Sequence, residues 1–133
     1  MKQDTLLLIK PNSTKKNQIG EILQIVEKNG FTIERLKMFE MDSDLADAFY
    51  VEHLSKGFYE ELSEFMRSGR IVAAMLNREE AVAKLRELVG DTDSTKAALG
   101  TIRAMYGKSK GENAVHASDS IKSAKREIEL IFK

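Results

Sequence analysis

The chain carries two histidines, His53 and His116, and no cysteine. Histidine is the side chain whose ordinary pKa, about 6.5, leaves it a neutral nucleophile or base near neutral pH. The two sit in different settings. His53 lies in the polar stretch YVEHLSKGF, which reads as helical, and its reading is a surface position with no task. His116 closes the apolar stretch from Ala114 and is followed by Ser118-Asp119-Ser120. Those three residues suit a helix start, where free backbone N–H groups and the helix dipole favour an anion. A histidine at such a corner can meet a phosphate, or it can be a buried structural residue bonded to a cap. The segment by itself leaves both readings open.

Arg86, Thr92 and Arg103 lie just before and within Asp91 to Glu112, a stretch with little period and much Gly, Ser, Thr and Lys. Loops of that length are uncommon in a small domain unless they do something, and guanidinium forks match phosphate oxygens better than a lysine point charge does. Within it, Gly100 to Ser109 mimics a P-loop, but six residues separate Gly100 from Gly107 and no apolar strand leads in, so it is not a Walker motif. No His-Glu-x-x-His, calcium loop, Gly-x-Ser-x-Gly or strand-borne Gly-x-Gly-x-x-Gly occurs. Without cysteine there is no disulfide framework, thiolate metal site or thiol nucleophile, a composition that fits a cytoplasmic protein. Lys plus Arg and Asp plus Glu each count 21, so no global field draws the chain to nucleic acid or anionic lipid, and any anion site must be local. Lys15-Lys16 and Lys125-Arg126 read as solvated helix faces.

These residues need a scaffold. With 133 residues, 42% hydrophobic and 32% charged, the chain reads as one globular domain over 1–133 with no bilayer-spanning run. The first apolar stretch follows Asp4 and is closed by Pro11, with no cleavage pattern behind it, so it is not a secretion signal. Thr5 to Ile9 is continuously apolar and predicts a buried strand with Lys10 at its end. Asn12 or Ser13 can cap a helix with the stripe Ile19, Ile22, Leu23, Val26, stopped by Asn29-Gly30. In Phe31 to Glu40 the alternation slips by one near Arg35, which predicts a bulge. Asp42 to Arg67 reads as a helical hairpin, Ile71 to Leu76 as a doubly buried strand, and Glu79 to Val89 as a helix stopped by Gly90. Ala114 to His116 predicts a short strand, followed by a helix that carries the apolar residues Ile121, Ala124, Ile128 and Ile131. Four strands interleaved with helices suggest an α+β or α/β sandwich.

The segments Thr5 to Asn12 (TLLLIKPN), Gly100 to Arg103 (GTIR), Asn113 to Ser120 (NAVHASDS) and Glu127 stand in an order that resembles the nucleoside diphosphate kinases across nearly the whole chain. The resemblance implies an α+β, ferredoxin-like four-stranded antiparallel sheet covered by helices. It implies transfer of the γ-phosphoryl group of a nucleoside triphosphate, mainly ATP, to a nucleoside diphosphate through a phosphohistidine, with broad base specificity. The catalytic set is then His116 as the nucleophile, Glu127 as the partner that orients its ring, Tyr50 beside the histidine, and Lys10. Arg86, Thr92 and Arg103 match phosphate ligands, Lys10 and Asn113 ribose ligands, and Phe58, with Leu62 nearby, the platform under the base. Asp119 matches a residue associated with Mg²⁺ through water. A homo-oligomer is implied, with no nucleic acid or membrane as main partner.

The chain departs from the usual pattern at Asn12, Phe49 and Ala117, none of which removes a catalytic group, and at Leu99, Met105 to Gly107 and Lys110, which bear on loop stability and base contacts. Asn113 and His116 are three apart and would face opposite sides of a regular strand, so Asn113 is expected in the entry loop. A catalytically silent nucleotide-binding or scaffold module of the same fold is the main competitor. A nucleic-acid-binding domain of ferredoxin-like type would want a basic face, which the zero net charge does not supply.

Overall fold

The computed structural model describes all of residues 1–133. The apolar run from Thr5 forms the buried part of β1 (Lys2–Ile9), and the residues that follow are β2 (Thr32–Glu40), β3 (Arg70–Glu79) and β4 (Val115–Ala117). The sheet order is β2-β3-β1-β4 and every neighbouring pair is antiparallel. This is the α+β, ferredoxin-like arrangement; the parallel alternative is absent. The register of β2 on β3 shifts between Ile33 and Arg35, at the position where alternation slips in the sequence.

Alternate residues of β1 serve two cores. Leu7 and Ile9 pack with Val72, Ala74 and Val115 against Ile22 and Val26 of α2 (Ile19–Lys28) and Leu85 of α5 (Ala81–Val89). Leu6 and Leu8 pack with Ile71 and Ala73 against Phe49 at the end of α3 (Ser43–Phe49), Met66 of α4 (Tyr59–Met66) and Ile131 of α7 (Ile121–Ile131). Val115 and Ala117 belong to the first core, so His116 between them faces the second, among α3, α4 and α7.

Several sequence expectations are corrected. Asn12 and Ser13 do not cap the striped helix: Pro11 opens a separate short α1 (Pro11–Thr14), whose N-cap is Lys10, and Asn17 at φ 58° reverses the chain before α2. Proline suits that first helical position because its missing N–H would be unpaired there anyway. The Asp91 to Glu112 stretch is not all loop. It holds a single 3₁₀ turn at Ser94–Lys96 and α6 (Ile102–Tyr106), capped by Thr101. His116 is the middle residue of β4 rather than its end, and Ser120 alone caps α7, accepting from the Ser123 N–H. Asn113 lies two residues ahead of β4, in the entry loop, followed by Ala114 at φ 74°. No helix is long and apolar enough to cross a membrane.

Candidate active site

β4 ends after three residues, and the tight Ser118 to Ser120 turn sends α7 back over the sheet, where it packs on β1. That geometry brings Glu127, on the second turn of α7, to His116: His116 Nε2 and Glu127 Oε1 are 2.8 Å apart. Ser118 Oγ donates to the same carboxylate oxygen at 2.6 Å. Burial pushes the Glu127 carboxyl up, but the bonds from His116 and Ser118 and the charge of Arg126 outweigh it and hold the carboxyl below its usual range. Glu127 is therefore a buried anion. It can only accept, so the proton between the two sits on His116 Nε2, which leaves Nδ1 as the ring nitrogen not engaged by Glu127.

The ring is fixed from a second side by Phe49, whose ring meets it edge-on at 5.1 Å, with Tyr50 edge-on to Phe49 at 5.0 Å. The Tyr50 hydroxyl is buried without a protein partner, and burial, then the charge of Glu127, pushes its pKa up. It stays a phenol.

Two arginines hang from the carbonyls on either side of the histidine. Arg103 Nη2 donates to the Val115 carbonyl at 2.9 Å, and Arg86 Nη1 to the Ala117 carbonyl at 3.3 Å. Arg103 also donates to the Gly90 carbonyl at 3.1 Å, yet its buried Nε has no partner. Burial and the neighbouring Arg86 charge lower its pKa to about 10. Lys10, delivered by the end of β1, donates to Asn113 Oδ1 at 2.8 Å, and Asn113 Nδ2 donates to the Thr92 carbonyl at 2.9 Å. Burial first, and the Arg103 charge second, bring the Lys10 amine down to about 7. Two guanidinium ions and the Lys10 amine crowd one corner without a carboxylate bonded to any of them, an arrangement that favours an incoming polyanion.

The other predicted residues lie around this centre. Thr92 and Arg86 are exposed, and Asp119 is exposed in the turn between β4 and α7. No three His, Asp or Glu side chains converge where they could share a metal ion. Phe58, the N-cap of α4, is 51% exposed, and Leu62 follows one turn later, half-buried. Neither touches His116 directly. A series of rings connects them: Phe58 to His53 at 5.6 Å, His53 to Tyr50 at 6.2 Å, then Phe49 and His116.

Four neighbours were missed or misread. His53 is not an idle surface residue: it is half-buried, its Nδ1 has no partner, and it separates Tyr50 from Phe58. Arg126 is not part of a solvated pair; it reaches the carbonyls of Ala48 and Phe49. Ser118 binds Glu127 instead of capping α7, and Phe49 braces the histidine. The one signal in the sequence is that Ser118, Asp119 and Ser120 are three candidates for one cap.

The chain matches the nucleoside diphosphate kinase family over residues 3–133. It is 49% identical over 132 residues to the nucleoside diphosphate kinase of Actinobacillus pleuropneumoniae serotype 5b, covering 99% of this chain and 96% of that one. To the Sorangium cellulosum nucleoside diphosphate kinase it is 47% identical over 128 residues, covering 96% and 89%. The crystal structure of the Aquifex aeolicus nucleoside diphosphate kinase superposes with a TM-score of 0.97 at 44% identity, covering 100% of this chain and 96% of that one. A halophilic nucleoside diphosphate kinase from Halobacterium salinarum, in complex with CDP, gives 0.97 at 34% identity, covering 100% and 89%.

Proposed function

The chain belongs to the nucleoside diphosphate kinase family, and from that membership we propose that its phosphoryl transfer runs through Nδ1 of His116 in two half-reactions. Its activity is that of a phosphotransferase between nucleotides. The observation that carries the histidine assignment is the 2.8 Å contact between His116 Nε2 and the buried Glu127 carboxylate, set between two arginines anchored on the carbonyls flanking that histidine.

In the first half-reaction the Nδ1 lone pair forms a bond to the γ-phosphorus as the bond from that phosphorus to the bridging oxygen breaks. A nucleoside diphosphate leaves. In the second, a terminal oxygen of another diphosphate takes the phosphoryl group and the Nδ1 lone pair returns. Glu127 holds the Nε2 proton throughout and stabilises positive charge on the ring. Arg86, Arg103 and Thr92 bind the phosphates, where charge spreads over the transferring oxygens. Lys10 and Asn113, bonded to one another, meet the ribose side and the transferring phosphate. Tyr50, kept protonated, has a hydroxyl free to donate into the site.

Mg²⁺ fits this donor set as an ion carried on the nucleotide phosphates. One exposed carboxylate, Asp119, is the protein's offer, and Mg²⁺ keeps most of its waters and phosphate oxygens rather than needing a protein cage. When bound, it neutralises charge on the β- and γ-oxygens. Phe58, half-exposed with Leu62 a turn away, offers the base a flat apolar face, and every base has a π-face to stack on it. Broad base specificity follows, with ATP the main donor. The halophilic relative's complex with CDP supports pyrimidine diphosphates among the partners.

We extend the proposal to one kinase domain over 1–133, to a cytoplasmic setting consistent with the absence of cysteine, and to self-association. The last is supported by β2, an unpaired sheet edge with Leu36 and Met38 exposed. The kinetic test of the two-step scheme is initial rates with donor and acceptor varied together. Parallel double-reciprocal lines are expected; intersecting lines contradict a covalent intermediate.

A further inference from the structure

α3 has no basic residue in its last turn. The terminal carbonyls of a helix lack partners within it and favour a cation, so this end must be met from elsewhere. Arg126 meets it. Its Nη1 donates to the Ala48 carbonyl at 3.1 Å and its Nη2 to the Phe49 carbonyl at 3.2 Å, while Nη2 lies 3.8 Å from Glu127 Oε2. Consecutive residues on a helix point about 100° apart, so α7 reaches two targets with neighbouring side chains: Glu127 to His116 and Arg126 to the end of α3. The residues held at that end are Phe49, edge-on to His116, and Tyr50, from which the ring series runs through His53 to Phe58.

We propose that Arg126 is a positioning residue that fixes the α3–α4 hairpin, and with it the base platform, relative to the nucleophilic histidine. This rests on the reading that Phe58 receives the base. The guanidinium fork suits the task because it donates to two successive carbonyls from one rigid plane. Two routes of action are separable. Through the α3 carbonyls, loss of Arg126 loosens the hairpin and weakens nucleotide binding. Through its charge on Glu127, loss would instead slow the chemical step.

The test compares Arg126→Met, which keeps the apolar stem, with Arg126→Lys, which restores a cation of similar reach. Steady-state rates with ATP and a second nucleoside diphosphate are measured together with amide hydrogen exchange. Arg126→Met should raise KM for donor and acceptor alike by about tenfold, the scale of losing charge-assisted bonds that are partly exposed, and leave kcat within about twofold. Exchange should accelerate in residues 45–66 and not in β1 or β3, and Arg126→Lys, which restores the charge but not the fork, should recover only part of the KM. Unchanged KM, a loss confined to kcat, or uniformly faster exchange would overturn the inference. Phe58→Ala serves as the control. If it raises KM and Arg126→Met does not, the Arg126 inference alone falls; if neither raises KM, the base-platform reading falls and takes the inference with it.

Discussion

Ser118 Oγ and Glu127 Oε1 are 2.6 Å apart, and that same oxygen lies 2.8 Å from His116 Nε2. One carboxylate oxygen thus serves two donors from the strand end, and Ser118 sits fully buried at the joint. The hydroxyl fixes which way the carboxylate faces, and the carboxylate fixes which nitrogen of the histidine stays free.

Ser118→Ala should therefore do more than remove a polar surface group. A hydrogen bond to a buried charge is worth about 1.5–3 kcal/mol, and a lowering of unfolding stability of that size is expected in urea titration. Rapid-quench labelling should find the histidine still phosphorylated, but several-fold more slowly. Wild-type stability with wild-type labelling would show that the contact has no energetic weight.

Phe58→Ala should weaken binding of purine and pyrimidine diphosphates alike, by about 1–3 kcal/mol. Equilibrium titration with ADP, GDP and CDP checks this. Phosphorylation of the histidine should persist at raised ATP. A loss limited to one base would mean that Phe58 is not a base-blind platform.

The Lys10 amine, brought down to about 7, gives a signed pH prediction. The unfolded chain holds that proton up to its ordinary pKa of 10.5, whereas the folded chain releases it above about 7, so this residue's contribution to native stability rises with pH across that interval. A bound polyanion reverses the bias and favours the charged amine. One pH unit above 7, nucleotide binding should take up a proton, seen by calorimetry in buffers of different ionisation enthalpy. Lys10→Met should abolish the uptake. Uptake that persists in that variant would place the titrating group elsewhere.

Leu99 is 99% exposed and is followed by Gly100 at φ 89°, with the Thr101 N–H donating to the Ala98 carbonyl at 3.2 Å. That is the pattern of a type II turn, in which the position of Leu99 favours proline. Leu99→Pro should stabilise by about 0.4–1 kcal/mol through the unfolded chain, with no packing lost. A lower unfolding midpoint would mean that its backbone angle does not suit the ring.

The scaffold was legible where periodicity is local. TLLLI gave a buried strand because both of its faces are covered, and the slip at Arg35 gave the bulge. Asn113 was expected off the strand from its three-residue offset to His116, and it lies there. Contacts made across the chain were not legible. Arg126 finds its carbonyls 78 and 77 residues away, and nothing in Lys125-Arg126 distinguishes that from a solvated pair. His53 sits in a polar stretch, yet a 3₁₀ turn tucks it between two rings that the pattern does not bring together. The break after α1 depends on Asn17 entering a left-handed conformation, for which the sequence offered only a residue type that tolerates it. Spacing alone would not have chosen Glu127 either. Its place followed from family resemblance, and its contact with His116 depends on how α7 packs back across β1.

The most direct measurement is to incubate the protein with γ-labelled ATP and Mg²⁺ in the absence of any acceptor and isolate it. The expected result is label on His116 that is lost in acid, survives base, passes to an added nucleoside diphosphate, and is absent from His116→Ala. Acid-stable label, or label retained in His116→Ala, would contradict it and move the acceptor to a hydroxyl such as Ser118 or Ser120.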